Sequence, residues 1–412
     1  MAMKRGGTKS SRSAWFRSIL AVVLMAMTAG CIDSEAITFG AVLQLSGRLA
    51  GTGRYYRDAY QFAIDKINQQ GGVAIGDFRY KLALKVRDSQ SNENRAVAEQ
   101  EALITRDRVG FVLGPYSSNE VLAAAAVAEK YHVPMVQAGG SSTRIFSRGN
   151  AYVFGTLPAA DDYFRSTIDM LLRLTPRPRT VAIVIGDDPF DITLAQGTRR
   201  LLREAGLDVV LEQQYSERTP NFYNILTLVE ARAPDVLLWS GHEAGAINFV
   251  RESKARNINP KLFASYTTAV STASFRAALG KDANYAFGMT PWLPSEHLKD
   301  RWFGDASQFA RSFEGKFGYA PDYHVAAAVA AVEALVYALE AAGTIESDDV
   351  RDAIAKLDFE SIYGRVRFGE DGQIELPQTV IQIQDGKVLE ILSGGAFVTQ
   401  PRYPIPPWDK RP

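Results

Sequence analysis

Two short stretches carry the residues best suited to holding a small anion: Gly114-Pro115-Tyr116-Ser117-Ser118 and Ala138-Gly139-Gly140-Ser141-Ser142-Thr143. Both combine glycines, which let a ligand approach the backbone closely, with hydroxyls that donate hydrogen bonds. The first leads directly into a helical pattern starting at Asn119. Free N–H groups and the positive end of that helix favour an anion there. A serine hydroxyl adds a neutral donor, so a carboxylate can be held without a buried lysine. The competing reading makes Ser117 or Ser118 a simple N-cap. Two such loops on adjacent strand ends favour a site.

Other chemistries find little support. The four histidines, His132, His242, His297 and His324, form no His-x-x-x-His or His-Glu-x-x-His pair, so no zinc site is expected. No Gly-x-Ser-x-Gly elbow is present for a serine hydrolase. Gly51-Thr52-Gly53 opens like a dinucleotide loop, but Tyr56 replaces the third glycine. None of the Gly-Lys pairs is followed by Ser or Thr, which removes a phosphate-binding P-loop. His324 reads as a helix-start residue, and Asp187, Asp188 and Asp282 as solvated loop carboxylates. No catalytic constellation and no cofactor are therefore expected.

The elements that must position these loops alternate. Ile37 to Leu43 is a β-rich run, and Arg54 to Asn68 places Ala59, Phe62, Ala63 and Ile67 on one helical face. Strand patterns follow at Tyr80 to Arg87, Val109 to Leu113 and Val133 to Gln137, with helical patterns at Glu93 to Arg106 and Asn119 to Tyr131. The grammar repeats from Thr180 to Arg256. Strands alternating with helices imply parallel βαβ units covered on both faces, with ligands bound outside the strands' carboxyl ends. Helical patterns at Asp305 to Phe317, His324 to Ala342 and Val350 to Leu357 come next, then strands at Gly364 to Phe368 and Thr379 to Gln384.

The N-terminus carries Lys4, Arg5, Lys9, Arg12 and Arg17 with no acidic residue, then an apolar run from Ile19 to Met27, then Thr28-Ala29-Gly30-Cys31. This is the layout of a secretory leader. The run is too short for a spanning helix, which needs ~20 residues. Cys31 is the only cysteine, which excludes an internal disulfide. Small residues before it resemble a bacterial lipobox, in which the cysteine becomes the lipidated first residue; Thr28 departs from the usual leucine. Taking away the leader's cations leaves 41 basic against 46 acidic residues. That balance, without a basic block, argues against nucleic acid. No later stretch reads as membrane-spanning.

The length after the leader suits two domains. Residues 36–157 with about 288–360 are expected to form lobe I, and about 158–287 with 361–400 lobe II. Residues 401–412 read as a Pro-rich irregular tail.

Gly71-Gly72, Gly114-Pro115-Tyr116-Ser117-Ser118, Val181-Ala182-Ile183-Val184 and Pro321-Asp322-Tyr323-His324, in that order and spacing, resemble the leucine/isoleucine/valine-binding protein family. These are periplasmic receptors of branched-chain amino-acid ABC importers. The resemblance runs from about Ile37 to Val388. It implies an α/β type I periplasmic binding fold: two similar doubly wound parallel-sheet lobes joined by a three-crossover hinge. The first lobe would hold the ligand's α-carboxylate, and the second would close over its side chain. Ser118 matches the carboxylate-binding serine, Gly139 the carbonyl offered to the ammonium, and Ser141 the hydroxyl beside it. Thr52 falls on an aromatic wall position, and Phe190 and His242 on second-lobe tyrosines.

Tyr266 is the main departure, because it falls where the family places the acid that pairs with the ammonium. A buried ammonium without a counter-charge is expensive. Either Glu243 or Asp191 takes over, or the ligand has no α-ammonium. In the second case Phe190, Tyr266 and Trp292 could form an apolar cage for an aromatic or other organic carboxylate, with Arg48 meeting a second acidic group.

The family reading implies an extracytoplasmic, lipid-anchored transport receptor whose partners are a small carboxylate-bearing ligand, ABC permease subunits and the membrane. A ligand-sensing module feeding a membrane sensor is the alternative use of the same fold.

Overall fold

The computed structural model describes residues 1–3, 36–219, 221–266, 268–295 and 297–411. Residues 4–30 of the leader and Cys31 lie outside them, as do the side chains of residues 265, 266 and 268.

From Ile37 the chain builds a five-stranded parallel sheet. Its strands are β1 (Ile37–Leu43), β2 (Leu82–Asp88), β3 (Phe111–Leu113), β4 (Met135–Gln137) and β5 (Val153–Gly155). They lie in the order β2-β1-β3-β4-β5. Phe39 of β1 is paired with Leu84 on one side and Phe111 on the other, so the central strand is apolar and buried over its length. The helices between them are α1 (Ala50–Gln69), α2 (Glu93–Thr105), α3 (Ser118–Tyr131) and the single turn α4 (Thr143–Phe146). Helix α1 starts four residues before the expected Arg54, which makes Thr52 helical.

After helix α5 (Arg165–Leu171) the grammar repeats with β6 (Thr180–Ile185), α6 (Pro189–Glu204), β7 (Asp208–Gln214), α7 (Tyr223–Arg232), β8 (Val236–Ser240), α8 (Glu243–Ala255), β9 (Leu262–Tyr266), α9 (Ala273–Leu279) and β10 (Phe287–Thr290). The antiparallel strands β11 (Thr379–Gln384), β12 (Lys387–Ser393) and β13 (Ala396–Phe397) extend this sheet beyond β10. The full order is β13-β12-β11-β10-β9-β8-β6-β7. Both sheets therefore reverse their strand order beside their first strand. Such switch points are where an open α/β sheet offers a crevice to a ligand.

Three further helices, α10 (Ala306–Phe317), α11 (Tyr323–Ala342) and α12 (Ser347–Ile354), return to the first sheet. Helix α11 has the length and hydropathy of a membrane span, contrary to the expectation that no such stretch follows the leader. Its alanines instead pack closely inside the first core, with almost every side chain buried. Asp322 caps its start by accepting from the His324 N–H at 3.0 Å, and Gly343 ends it in the left-handed conformation at φ 66°.

The chain passes between the two sheets three times: after β5, after β10 and before β11. Across these passages Gly155 donates to Gly372 O, Gln373 Nε2 to Leu157 O and Ser166 Oγ to Gln378 O. One assignment changes. Ile362, Tyr363, Val366, Phe368 and Ile374, expected with the second lobe, pack into the first core. The cause is the hairpin Asp358–Ser361/Gly364–Arg367, which turns before the last crossover and leaves its apolar residues against the first lobe. The Pro-rich tail is anchored on the second lobe, where Trp408 donates to Ile258 O and Asn259 Oδ1, each at 2.9 Å.

Candidate functional site

The loops at the two switch points face each other. A chamber lies between them. The first lobe lines it with Tyr116, Ser117, Ser118, Gly139, Ser141 and Tyr323, the first crossover adds Leu157, and the second lobe closes it with Phe190, Gly241 and His242. The lining combines hydroxyls and glycine backbone with aromatic rings and Leu157.

The first-lobe side is built around Ser118. Its Oγ accepts from the backbone N–H groups of Ser141 and Ser142, each at 3.2 Å, and so ties the loop after β3 to the loop after β4. Ser118 is therefore not the N-cap, a position held by Ser117 without a side-chain bond. Its own O–H remains a donor, next to the N-terminus of a four-turn helix. Gly139 is required here, because a Cβ would fall 2.1 Å from Pro115 O and 2.6 Å from Tyr116 Cα. Gln137 locks the turn by accepting from the N–H groups of Gly139 and Gly140 at 2.9 and 2.7 Å. The Ser141 hydroxyl is bonded to Tyr163.

The second-lobe side is built around His242, at the start of α8. Its Nε2 is 3.0 Å from Asp188 Oδ2, and its Nδ1 is 2.9 Å from the hydroxyl of Tyr116 in the other lobe. Asp188 caps α6, its Oδ1 accepting from the Asp191 N–H at 2.9 Å. The expectation of a solvated Asp188 is thus corrected: it is buried, because the capping bond and the imidazole replace water. Burial alone would raise its pKa; the His242 contact and the Asp191 N–H outweigh that and hold it below the usual carboxylate range. Burial opposes charge on His242 too, but the contact with Asp188 and the nearby Glu217 carboxylate carry its pKa upward.

Asp191 is fully buried and accepts from the Ser240 hydroxyl. Burial, then the charges of Asp188 and Glu217, push the pKa of its carboxyl well upward. It does not line the chamber.

An outer cleft adjoins the chamber and shares His242 as its wall. Arg48, Thr52 and Glu243 line this cleft, not the chamber. Arg48 reaches across to Glu217 at 3.7 Å, while Glu243 accepts from the Ser274 hydroxyl and has its pKa raised by burial. The lobes also meet through Ser142 Oγ and Thr193 Oγ1 at 2.7 Å, and through Tyr55 and Ser274 at 3.1 Å.

Of the residues singled out in the sequence, Ser118, Gly139, Ser141, Phe190 and His242 are brought together around one chamber. Trp292 is not. It is buried in the first core, its indole N–H donating to Ile362 O at 2.7 Å and its ring edge-on to Phe309, so it cannot form part of a ligand cage. Tyr266 ends β9, its backbone paired with Ser240, while its side chain lies outside the described residues. Tyr116, Tyr323 and Leu157 were not read as contacts. The only hint was their place, in or beside the motifs Gly114–Ser118 and Pro321–His324 and in the Pro-containing stretch after β5.

A family model described as periplasmic binding protein matches residues 36–387. The Leu/Ile/Val-binding protein homolog 7 of Brucella suis biovar 1 is 24% identical over 406 residues, covering 94% of this chain and 99% of that protein. Homolog 8 of the same organism is 25% identical over 404 residues, covering 92% and 95%. Among solved structures, the branched-chain amino acid transporter substrate-binding protein of Streptococcus pneumoniae, in complex with isoleucine, superposes with a TM-score of 0.75 at 20% identity, covering 86% of this chain and 98% of that one. A solute-binding protein of an R. palustris ABC transporter, in complex with benzoate, gives 0.76 at 18% identity, covering 87% and 96%.

Proposed function

The chain belongs to the periplasmic binding protein family, and from that premise we propose that it is the extracytoplasmic solute-binding receptor of an ABC-type importer, closing its two lobes over a small carboxylate. The observation that carries this reading is the chamber itself. Neutral donors gather at a helix N-terminus on one lobe, aromatic and aliphatic walls surround them, and cross-lobe hydrogen bonds shut the site. Ligand touching both lobes favours the closed arrangement, which is the form a permease would read. Lipidation at Cys31 would keep the receptor at the membrane.

An amino acid is the first candidate ligand, supported by the names of the Brucella relatives. A second reading is favoured by one observation: among the described residues, no carboxylate lines the chamber. Asp188 is committed to His242, Asp191 is buried away from the chamber with its pKa raised, and Glu243 faces the outer cleft. A carboxylate without an α-ammonium, such as the benzoate held by the R. palustris protein, suits that lining. Thermal unfolding against branched-chain amino acids and benzoates tests both readings. A ligand at 100 times its Kd stabilises by about 2.7 kcal/mol, and it should be recovered unchanged. Absence of any shift contradicts the carboxylate reading; conversion of the ligand contradicts the receptor.

A further inference from the structure

We propose that Asp188, His242 and Tyr116 form a proton relay that decides whether the chamber offers its ligand a hydrogen-bond donor or an acceptor, so that capture of a carboxylate takes up a proton. The binding half of this proposal rests on the carboxylate reading above; the histidine half rests on the geometry of three side chains.

Asp188 and His242 belong to the second lobe and Tyr116 to the first; His242 Nε2 lies 3.0 Å from Asp188 Oδ2 as an ion pair, and its Nδ1 hydrogen-bonds the Tyr116 hydroxyl at 2.9 Å. Asp188 is fixed through its other oxygen by the Asp191 N–H. An ionised carboxylate can only accept, so the Nε2 facing it carries a proton in either charge state of the ring. The remaining freedom lies at Nδ1. When the ring is charged, Nδ1–H donates to the Tyr116 oxygen, and the phenol's own proton is free to serve the chamber that Tyr116 lines. When the ring is neutral, the bare Nδ1 accepts the Tyr116 O–H, and the phenol presents only lone pairs. A ligand carboxylate meets a donor in the first state and a repelling acceptor in the second.

The groups around His242 fix where this switch falls. Asp188 and Glu217 favour the charged ring; Arg48 and burial oppose it. Asp191, its pKa raised, contacts Asp188 through its backbone N–H, Tyr215 lies beside Glu217 at 3.3 Å, and Glu243 follows His242 in the chain. His324 reaches the relay only through the Tyr116 ring, 5.4 Å between centroids. The balance leaves His242 titrating above its ordinary value of about 6.5.

The experiment follows the histidine ring signals of ¹⁵N-labelled protein through a pH titration, with Asp188→Asn and Tyr116→Phe beside the wild type. Calorimetry with benzoate and with isoleucine, from pH 6 to 9 in two buffers of different ionisation heat, accompanies it. His242 should titrate above about 6.5, carry its neutral-state proton on Nε2, and drop in Asp188→Asn. Whichever probe binds should take up as much as one proton per ligand above that titration, and weaken by up to about tenfold per pH unit. Tyr116→Phe should flatten this dependence. If neither probe binds, the carboxylate reading fails, and the histidine titration alone decides the relay. A ring titrating below its ordinary value, a neutral form protonated on Nδ1, or wild-type binding that ignores pH would overturn it.

Discussion

Glu333 offers a test of the first core that needs no ligand. It lies on α11 with no solvent exposure, neither carboxyl oxygen has a hydrogen-bond partner, and Asp300 is the charge that bears on it. Asp300 accepts from the Trp302 and Phe303 N–H groups through Oδ1, at 2.7 and 2.6 Å, which leaves Oδ2 for Glu333. Burial, and then Asp300, raise the Glu333 pKa well above normal, so folding favours its protonated form, which can donate toward Asp300. The sign follows. A carboxyl raised on folding leaves stability intact below its unfolded value, about 4.3, and erodes it as pH climbs toward the folded value. The rate is about 1.4 kcal/mol per pH unit. Glu333→Gln keeps a donor toward Asp300 and cannot ionise. Urea unfolding at pH 5, 7 and 9 should show the variant close to wild type at pH 5 and increasingly more stable above it. Glu333→Leu cannot ionise either but removes the donor, so it should lie about 1–3 kcal/mol below Glu333→Gln at every pH. Parallel pH profiles for wild type and Glu333→Gln would refute the argument.

Gly139→Ala places a Cβ 2.1 Å from Pro115 O and should cost about 1–3 kcal/mol while abolishing ligand stabilisation, both read from melting curves. Thr193→Val removes the cross-lobe bond to Ser142; it should weaken ligand by about fivefold, some 1 kcal/mol, with the ligand-free protein more extended in small-angle scattering. Trp292→Phe should lower the melting temperature yet leave affinity unchanged, since the indole bonds within the first core.

Much of this arrangement was written in local sequence. Buried runs such as Ile37–Leu43 and Thr180–Ile185 mark central parallel strands, and Ser118, Gly139 and Ser141 stand out because hydroxyls and glycines cluster at strand ends. The strands β9 and β10 were missed, because Leu262–Tyr266 and Phe287–Thr290 are short and carry no alternation. Asp188 was misread for a different reason: its partner lies more than 50 residues away, and only the adjacency of β6 and β8 brings the two loops together. Trp292 shows the same limit from the other side. Apolar character alone does not separate a ligand wall from a core, and its place was fixed by the second crossover and by Ile362.

The central claim is that a carboxylate sits between Ser118 and Ser141 on one lobe and His242 on the other. Titration calorimetry of a binding carboxylate into wild type and into the Ser118→Ala, Ser141→Ala double variant tests it most directly. Loss of the donor hydroxyls, and of the acceptor that holds the Ser141 and Ser142 N–H groups, should weaken binding by at least about tenfold, some 1.4 kcal/mol. An unchanged Kd in a folded double variant would place the ligand elsewhere.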